Sequence, residues 1–399
     1  MRVFMKYLFY LLPGLLNLVM GLFFFITAKR MADANLSSLA VTATMPMWAL
    51  IYAVSSFIIG KYATKNNAVK ILFISQFILL ISMLGLLFSP DVKLQYLWLL
   101  LSGLGTGLFF TPFQTVVKLF EKVEISPETF AKSAAAYVFS WSFGQGCGPM
   151  VAALVWGMFD PVSGWKYCYV VNICVVIWVI VSLIFMQKFI NRRLKETSGE
   201  QAVISNSDSN TGNATGLPDV MKAVWVLAFG GYLAIAALRC YLPDYATKEL
   251  HFPTSSQGIM LSLISIVQAL VALSCFKVKR FPFKPWAGLF SGASACVALA
   301  VLALCSSSLA AWGATTLFGI FSGVFCFYLT YHALANYTKS GRYAAVNETI
   351  VGSTSVFAPL AAGLIADHST AQMPFYVLIV ILIISTVIYS KQTWQYRNF

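Results

Sequence analysis

Twelve long apolar segments constrain the fold of this chain more than any other feature. A helix crosses the hydrocarbon core of a bilayer with about 20 apolar residues, whereas sheets with open edges do not survive there. Only 10% of the 399 residues are charged, against roughly 25% in soluble proteins. The sequence therefore predicts an all-α integral membrane protein. Its twelve transmembrane spans are predicted near residues 7–27, 37–60, 69–89, 94–117, 133–158, 167–187, 222–243, 255–276, 285–305, 311–335, 343–366 and 373–390.

The distribution of Lys and Arg predicts the orientation of these spans. An even number of spans brings both ends of the chain to one side. If that side is the cytoplasm, 21 of the 27 Lys and Arg residues are cytoplasmic and five lie outside, as the positive-inside rule requires. The same rule explains the net charge of +13 without a nucleic-acid partner. We expect a monomeric, multi-pass protein of the plasma (inner) membrane with both termini cytoplasmic.

The residues that most often carry catalysis or bind metals are sparse. The eight cysteines lie in or beside apolar segments without a C-x-x-C pair, so they indicate neither disulfides nor a metal site. Three histidines, no P-loop and no nucleophile elbow argue against an enzyme or an ATP-driven pump. We therefore expect no cofactor, no metal and no enzymatic activity.

A polar stretch divides the chain into two halves of six spans. Its Ser, Asn, Asp and Thr residues cannot bury a core and predict a flexible cytoplasmic linker. We predict an N-terminal bundle over 1–193, the linker over 194–220 and a C-terminal bundle over 221–399. The halves also repeat in sequence, at shifts of 216 and 210 residues. The aligned residues are Gly103 with Gly319, Gly107 with Gly323, Ala134 with Ala344 and Pro149 with Pro359.

Two motifs add a family resemblance to this layout. Gly60 and Lys65 stand in a loop that resembles a signature of the major facilitator superfamily, with Thr64 where that signature has Asp. Gly144, Gly148 and Pro149 resemble its Gly-x-x-x-Gly-Pro motif, for which we expect a helix-packing role. The resemblance implies two pseudo-symmetric six-helix bundles and alternating access. It also implies a central site lined mainly by spans 1, 4, 7 and 10.

Two charges inside the spans are functional candidates, because a charge at the bilayer centre costs about 2.5–3.5 kcal/mol on insertion scales. Arg239 either binds or gates an anionic group in the cavity, or extends to the outer interface. Glu348 is either a protonatable coupling residue or a structural or gating acid near the positive start of its helix, where it could meet Lys61 or Lys65. The two residues differ in depth by roughly 16 Å at 1.5 Å per residue, which argues against a direct ion pair.

The uncharged polar residues of the spans complete the predicted site. We assign substrate binding to Asn17, Gln114, Tyr328 and Thr330, together with Arg239, and a coupling, gating or structural role to His332. So few charges among many aromatic residues suit a neutral or amphipathic ligand. The chain is predicted to be a secondary transporter of a small organic solute, with protons as one option for coupling. Alternatives are an uncoupled facilitator and a transporter-like lipid translocator or receptor.

Overall fold

The chain is helical almost throughout the residues that its computed structural model describes: 2–64, 67–117, 127–159, 162–204, 218–275, 277, 283–335 and 340–397. Among the described connections, a 3-10 turn at Val92–Leu94 precedes one of the helices, and a second one at Trp394–Tyr396 follows the last helix. The α-helices are α1 (Arg2–Asp33), α2 (Ser38–Thr42), α3 (Thr44–Tyr62), α4 (Ala68–Phe88), α5 (Gln95–Val117), α6 (Pro127–Met158), α7 (Gly164–Ile204), α8 (Met221–Lys248), α9 (Thr254–Cys275), α10 (Pro285–Leu304), α11 (Ser308–Ala335), α12 (Ser340–His368) and α13 (Met373–Thr393).

The helices match the predicted twelve-span layout. Ten segments of the described residues are long and apolar enough to cross a membrane, with α2 and α3 counted together as one. Helices α5 and α6 complete the twelve and pack among the others. Large apolar side chains such as Phe185 and Phe290 remain 75% and 73% exposed on the outside of the bundle. Hydrocarbon solvates such a surface and water does not.

The two halves form two bundles, α1–α7 and α8–α13. They meet where α6 packs on α9, α3 on α12 and α1 on α8. Helix α7 continues to Ile204, into the segment that was predicted to be a flexible linker. Residues 205–217 of that linker lie outside the described residues. The domain boundaries therefore stay a prediction.

Matching glycine contacts in the two bundles support the internal repeat. In each bundle, a Cβ on either of two glycines would lie 2.4–2.8 Å from a carbonyl oxygen of the neighbouring helix, so only glycine permits that approach. One shift of 216 residues aligns both the glycines and their partners. The contacts pair Gly103 with Trp48, Gly107 with Tyr52, Gly319 with Ile264 and Gly323 with Gln268.

The glycines of the Gly-x-x-x-Gly-Pro motif bring α6 close to α1. A Cβ at Gly144 would lie 1.9 Å from the carbonyl oxygen of Gly14. One at Gly148 would lie 2.6 Å from the carbonyl carbon of Gly21. Both distances are well below van der Waals contact, so the backbones of α1 and α6 touch here. Because α6 also packs on α9, the motif sets the spacing at the junction of the bundles.

Substitution of Gly144 by Leu is expected to lower the thermal stability of the purified protein. The new side chain would overlap the backbone of α1, and overpacking of this kind costs about 1–3 kcal/mol. Gly157→Leu is the matched control, because a Cβ at Gly157 on the same helix meets nothing within 4 Å. Thermal unfolding in detergent compares the two variants. Equal melting temperatures would contradict the close α1–α6 packing.

Candidate functional site

A cavity of about 310 Å³ lies between the two bundles. Side chains from α1, α3, α5 and α6 line it on one side, and side chains from α8, α11 and α12 on the other. Aromatic rings form much of its wall, including Phe24, Trp48 and Trp141. Its lining includes two formally charged side chains, Arg239 and Glu348. Such a space is large enough for a small organic molecule.

The cavity is closed toward one face of the bundle. We call the face at which α1 begins and α13 ends the terminal face, and the opposite one the distal face. At the distal face, the backbone N–H groups of Ser38 and Leu39 each donate to a carboxylate oxygen of Asp367 at 2.9 Å. Asp367 belongs to the second bundle and caps the start of α2 in the first. The two bundles are thus joined directly beyond the cavity.

A second set of contacts reinforces this closure. The Ser38 hydroxyl donates to Asp244 Oδ2 at 2.5 Å. Lys248 Nζ lies 2.7 Å from Asp244 Oδ1 and also donates to the Leu36 carbonyl oxygen at 2.6 Å. These contacts again join α8 of the second bundle to the first bundle. We define the distal latch as Leu36, Ser38, Leu39, Asp244, Lys248 and Asp367.

Glu348 joins the bundles inside the cavity. The Tyr52 hydroxyl on α3 donates to Glu348 Oε2 on α12 at 3.2 Å. The Tyr52 ring stacks on Trp48 with the ring centroids 4.7 Å apart. Trp48 is held in turn by its indole N–H, which donates to Thr106 Oγ1 at 2.8 Å. A fixed aromatic platform therefore positions the hydroxyl that binds the carboxylate.

This partner differs from the lysines expected from the sequence. Lys61 lies nine residues beyond Tyr52 on α3, about 13 Å further along the helix. Its ammonium group sits 4.5 Å from the centre of the Phe57 ring, on the exposed side of α3. The prediction that Lys61 meets Glu348 is therefore wrong for this conformation. The alternative partner, Lys65, lies outside the described residues.

Arg239 faces the cavity rather than the outer interface. Among the described residues it makes no ion pair or hydrogen bond. It does not pair with Glu348, in agreement with the difference in depth. Tyr232, seven residues earlier on α8, interacts electrostatically with both of them. Asp244, the nearest acid along α8, is occupied by Lys248 and Ser38.

Two of the predicted uncharged contacts line the cavity. Asn17 donates its amide N–H to the Pro13 carbonyl oxygen at 2.9 Å. Asn17 lines the cavity, and this bond does not use its amide oxygen. Thr330 also lines it, and its hydroxyl donates to the Cys326 carbonyl oxygen at 3.1 Å. Both residues can accept a hydrogen bond from a solute.

The other predicted residues lie elsewhere. Tyr328 is fully buried against α13, where its ring stacks on Tyr389 at 6.2 Å, so its predicted contact with substrate finds no support in this position. His332 is buried with its ring edge-on to Phe283 at 5.1 Å, away from the cavity. The side chain of Gln114 is outside the described residues. Within the described ranges, no group of three or more His, Cys, Asp or Glu side chains could hold a metal ion.

Sequence reasoning missed several residues that line the cavity. Two of them could have been found from a spacing of seven residues to a predicted charge, which puts two side chains on one helix face two turns apart. That spacing relates Tyr232 to Arg239 on α8 and Glu348 to Ser355 on α12. The polar lining residues that were not assigned to the site from the sequence are Tyr52, Ser133, Tyr137, Gln145, Tyr232, Asn347 and Ser355.

A cavity between two repeated six-helix bundles is the architecture of a membrane transporter. Residues 8–346 match the family model of the Major Facilitator Superfamily. The chain therefore belongs to this superfamily, whose members are transporters, and it is a multi-pass membrane protein. A search of curated protein sequences found no significant match.

Solved structures of transporters share the fold. The proton:xylose symporter XylE, bound to 6-bromo-6-deoxy-D-glucose, superposes with a TM-score of 0.68 at 12% identity, over 100% of this chain and 97% of that one. The nucleoside transporter NupG gives 0.65 at 11% identity, over 98% and 99%. The human organic anion transporter MFSD10 (TETRAN) gives 0.62 at 13% identity, over 97% and 99%. At such identities the likeness concerns the fold alone.

Proposed function

We propose that this protein is a secondary transporter that moves a small organic solute across the membrane by alternating access. The observation that carries the proposal is the cavity between the bundles, lined from both sides and closed at the distal face by the latch. A carrier needs such a site at the junction of two rigid bodies, because rocking of the bundles can then expose it to either side.

The transport cycle follows from the position of the latch. Opening of the distal face requires that Asp367 release the start of α2 and that Ser38 leave Asp244. The terminal face must then close over the solute. Because Lys and Arg are concentrated on the loops of the terminal face, we assign that face to the cytoplasm. The latch then closes the cavity on the side opposite the cytoplasm, in a plasma membrane.

Glu348 is the proposed coupling residue. It accepts a hydrogen bond from Tyr52 of the other bundle, so rocking of the bundles changes the surroundings of its carboxylate. Tyr232 on α8 also lies within electrostatic range of Glu348, and Tyr137 on α6 within that of Tyr52. A carboxylate whose surroundings alternate with the cycle binds protons differently in the two states. Differential proton binding is what couples transport to a pH gradient.

Flux into proteoliposomes tests the proposal. Radiolabelled solutes of several classes, including sugars, nucleosides, amino acids and organic acids, are offered with and without an imposed pH gradient. Saturable uptake that shows counterflow supports a carrier. A flux that is the same with and without the pH gradient indicates an uncoupled facilitator. Transfer of fluorescent phospholipids without flux of any solute would replace the proposal with a lipid translocator, and binding without flux would replace it with a receptor.

The Glu348→Gln variant is expected to separate coupling from translocation. The amide can still accept from Tyr52 but cannot exchange a proton. Accumulation driven by a pH gradient should therefore be lost, while counterflow of the same solute continues. The control is Glu249→Gln, since Glu249 is exposed at the end of α8, outside the cavity. If Glu348→Gln still accumulates solute against its gradient, Glu348 is not the coupling site.

A further inference from the structure

The end of the cavity nearest the latch carries a group of hydrogen-bond donors. Gln145, Arg239 and Ser355 line it from α6, α8 and α12. These helices all run from the terminal to the distal face, and each of the three residues lies at or beyond the midpoint of its helix. The group includes side chains from both bundles. Arg239 carries a full positive charge in this part of the cavity.

None of these three side chains makes a hydrogen bond or an ion pair with another described residue. Gln145 and Ser355 are 5% and 4% exposed, and neither makes a hydrogen bond within the described ranges. Arg239 is likewise without an ion pair or hydrogen bond there. Buried polar groups are nearly always hydrogen-bonded in folded proteins. Gln145 and Ser355 are two such buried groups, and they face one cavity together with the partly exposed Arg239. The three side chains together indicate a site for an external group that accepts hydrogen bonds.

The nearby acids do not neutralise Arg239. Asp244 is held by Lys248 and Ser38 in the latch. Glu348 lies seven residues from Ser355 toward the terminal face, about 10 Å along α12, and binds Tyr52. The cavity is thus polarised along its length, with a cation and donors at the closed end and a carboxylate nearer the terminal face.

The wall beside this group is apolar. Phe24, Met45 and Ile235 line the same part of the cavity, and Trp141 lies one helical turn before Gln145 on α6. A bound molecule would place an apolar or aromatic body against these side chains. Its polar end would meet the guanidinium group.

We propose that Gln145, Arg239 and Ser355 form a carboxylate-binding subsite, and that the transported solute is an amphipathic organic anion with one carboxylate group. The planar guanidinium of Arg239 binds a carboxylate through two parallel N–H donors, which neither an ammonium solute nor a neutral one can match. Gln145 and Ser355 donate to the remaining lone pairs. A second carboxylate about 10 Å away is disfavoured because it would approach Glu348. This inference rests on the proposed transport function and names its substrate class.

Three probes of similar size and different charge test the subsite on the full-length protein in detergent. They are phenylacetate, its neutral amide phenylacetamide, and phenethylamine. A ligand that binds the native state raises the melting temperature by mass action. We expect phenylacetate to raise it with a dose dependence that gives an apparent Kd, and we expect the amide and the amine to have little effect. Equal stabilisation by phenylacetamide, greater stabilisation by phenethylamine, or no effect of phenylacetate would overturn the proposal.

Variants assign the effect to the three side chains. Arg239→Gln should raise the apparent Kd for phenylacetate by at least about ten-fold, whereas Arg239→Lys should retain part of the affinity. Gln145→Leu keeps the approximate shape and should weaken binding less, which preserves the test if Arg239→Gln does not fold. The matched control is Lys93→Gln, since Lys93 is an exposed cation outside the cavity. An unchanged Kd in Arg239→Gln would overturn the assignment.

The substrate class and the transport function can fail separately. Flux of a neutral or cationic solute through the cavity, without stabilisation by phenylacetate, leaves the carrier intact and removes the carboxylate subsite. If no solute class crosses the membrane in the proteoliposome assay and phenylacetate does not bind, the transport function and the carboxylate subsite are both wrong.

Discussion

Replacement of Ala236 by Trp is expected to abolish solute flux while the protein remains folded. Ala236 lies on α8 between Tyr232 and Arg239, and its side chain faces the cavity. The indole ring of Trp is far larger than the methyl group of Ala, so it would take up space in a cavity of about 310 Å³. The solute would lose its space at the junction of the bundles. We expect the rate of counterflow in proteoliposomes to fall by about ten-fold or more.

Phe229→Trp on the same helix is the control for this substitution. Phe229 is 46% exposed on the outside of the bundle, where lipid accommodates a larger ring. Its counterflow rate should equal that of the wild type. Both variants should elute as single species in size-exclusion chromatography. Undiminished flux through a folded Ala236→Trp protein would show that the solute does not pass through this cavity.

A disulfide across the latch is expected to stop the cycle reversibly. The Ser38 backbone N–H donates to the Asp367 carboxylate at 2.9 Å, so these two residues are in direct contact across the latch and are chosen for an engineered cysteine pair. A Cβ at Gly363 would lie 2.7 Å from Leu39 Cα, which shows how closely the two bundles approach here. Oxidation of the Ser38→Cys/Asp367→Cys variant should reduce flux to the level of empty liposomes. Reduction should restore the rate that the same variant had before oxidation.

The single variants provide the control for the latch experiment. Ser38→Cys and Asp367→Cys each remove one latch contact, so each can change the basal rate. Neither can link the bundles, and their flux should be insensitive to the oxidant. The native cysteines are present in all three proteins and are covered by the same comparison. Full flux through the oxidised double variant would mean that the distal face need not open during transport.

Much of the fold could be predicted from the sequence because membranes impose severe rules. A helical protein crosses hydrocarbon only as long apolar helices, which the sequence shows directly. The excess of Lys and Arg on every second loop identifies the loops on the cytoplasmic side. The repeat was visible because glycines are required wherever two helix backbones touch, as at Gly107 and Gly323. The sequence did not predict that α7 continues as far as Ile204. Its polar residues up to Ile204 have the composition of a linker, yet they continue the helix.

The site could be predicted only in part. Arg239 and Glu348 were found because a charge in the membrane is costly unless it has a role. Tyr328 was misplaced because it lies two residues from Thr330, and a step of two residues turns a helix by about 200°. Thr330 faces the cavity and Tyr328 faces α13. Without a strong amphipathic pattern, sequence alone does not say which face of α11 points inward.

The contacts between bundles lay beyond sequence reasoning. Tyr52 meets Glu348 across 296 residues of chain, and Ser38 meets Asp367 across 329. In the sequence, nothing distinguishes Tyr52 from the other aromatic residues of an apolar helix. The sequence indicates only that Asp367 is a polar residue near the end of a helix. Their roles follow from the packing of α3 and α2 against α12, which depends on the whole arrangement.

The most direct test of alternating access is the accessibility of residue 355 from the two sides of the membrane. A Ser355→Cys protein in cells and in inverted vesicles is exposed to a small membrane-impermeant thiol reagent. Mass spectrometry then measures the modification of the peptide that carries this cysteine. Alternating access predicts labelling from both sides, with labelling through the distal face abolished when the 38–367 disulfide is closed. Labelling through one face alone, with or without that disulfide, would contradict it.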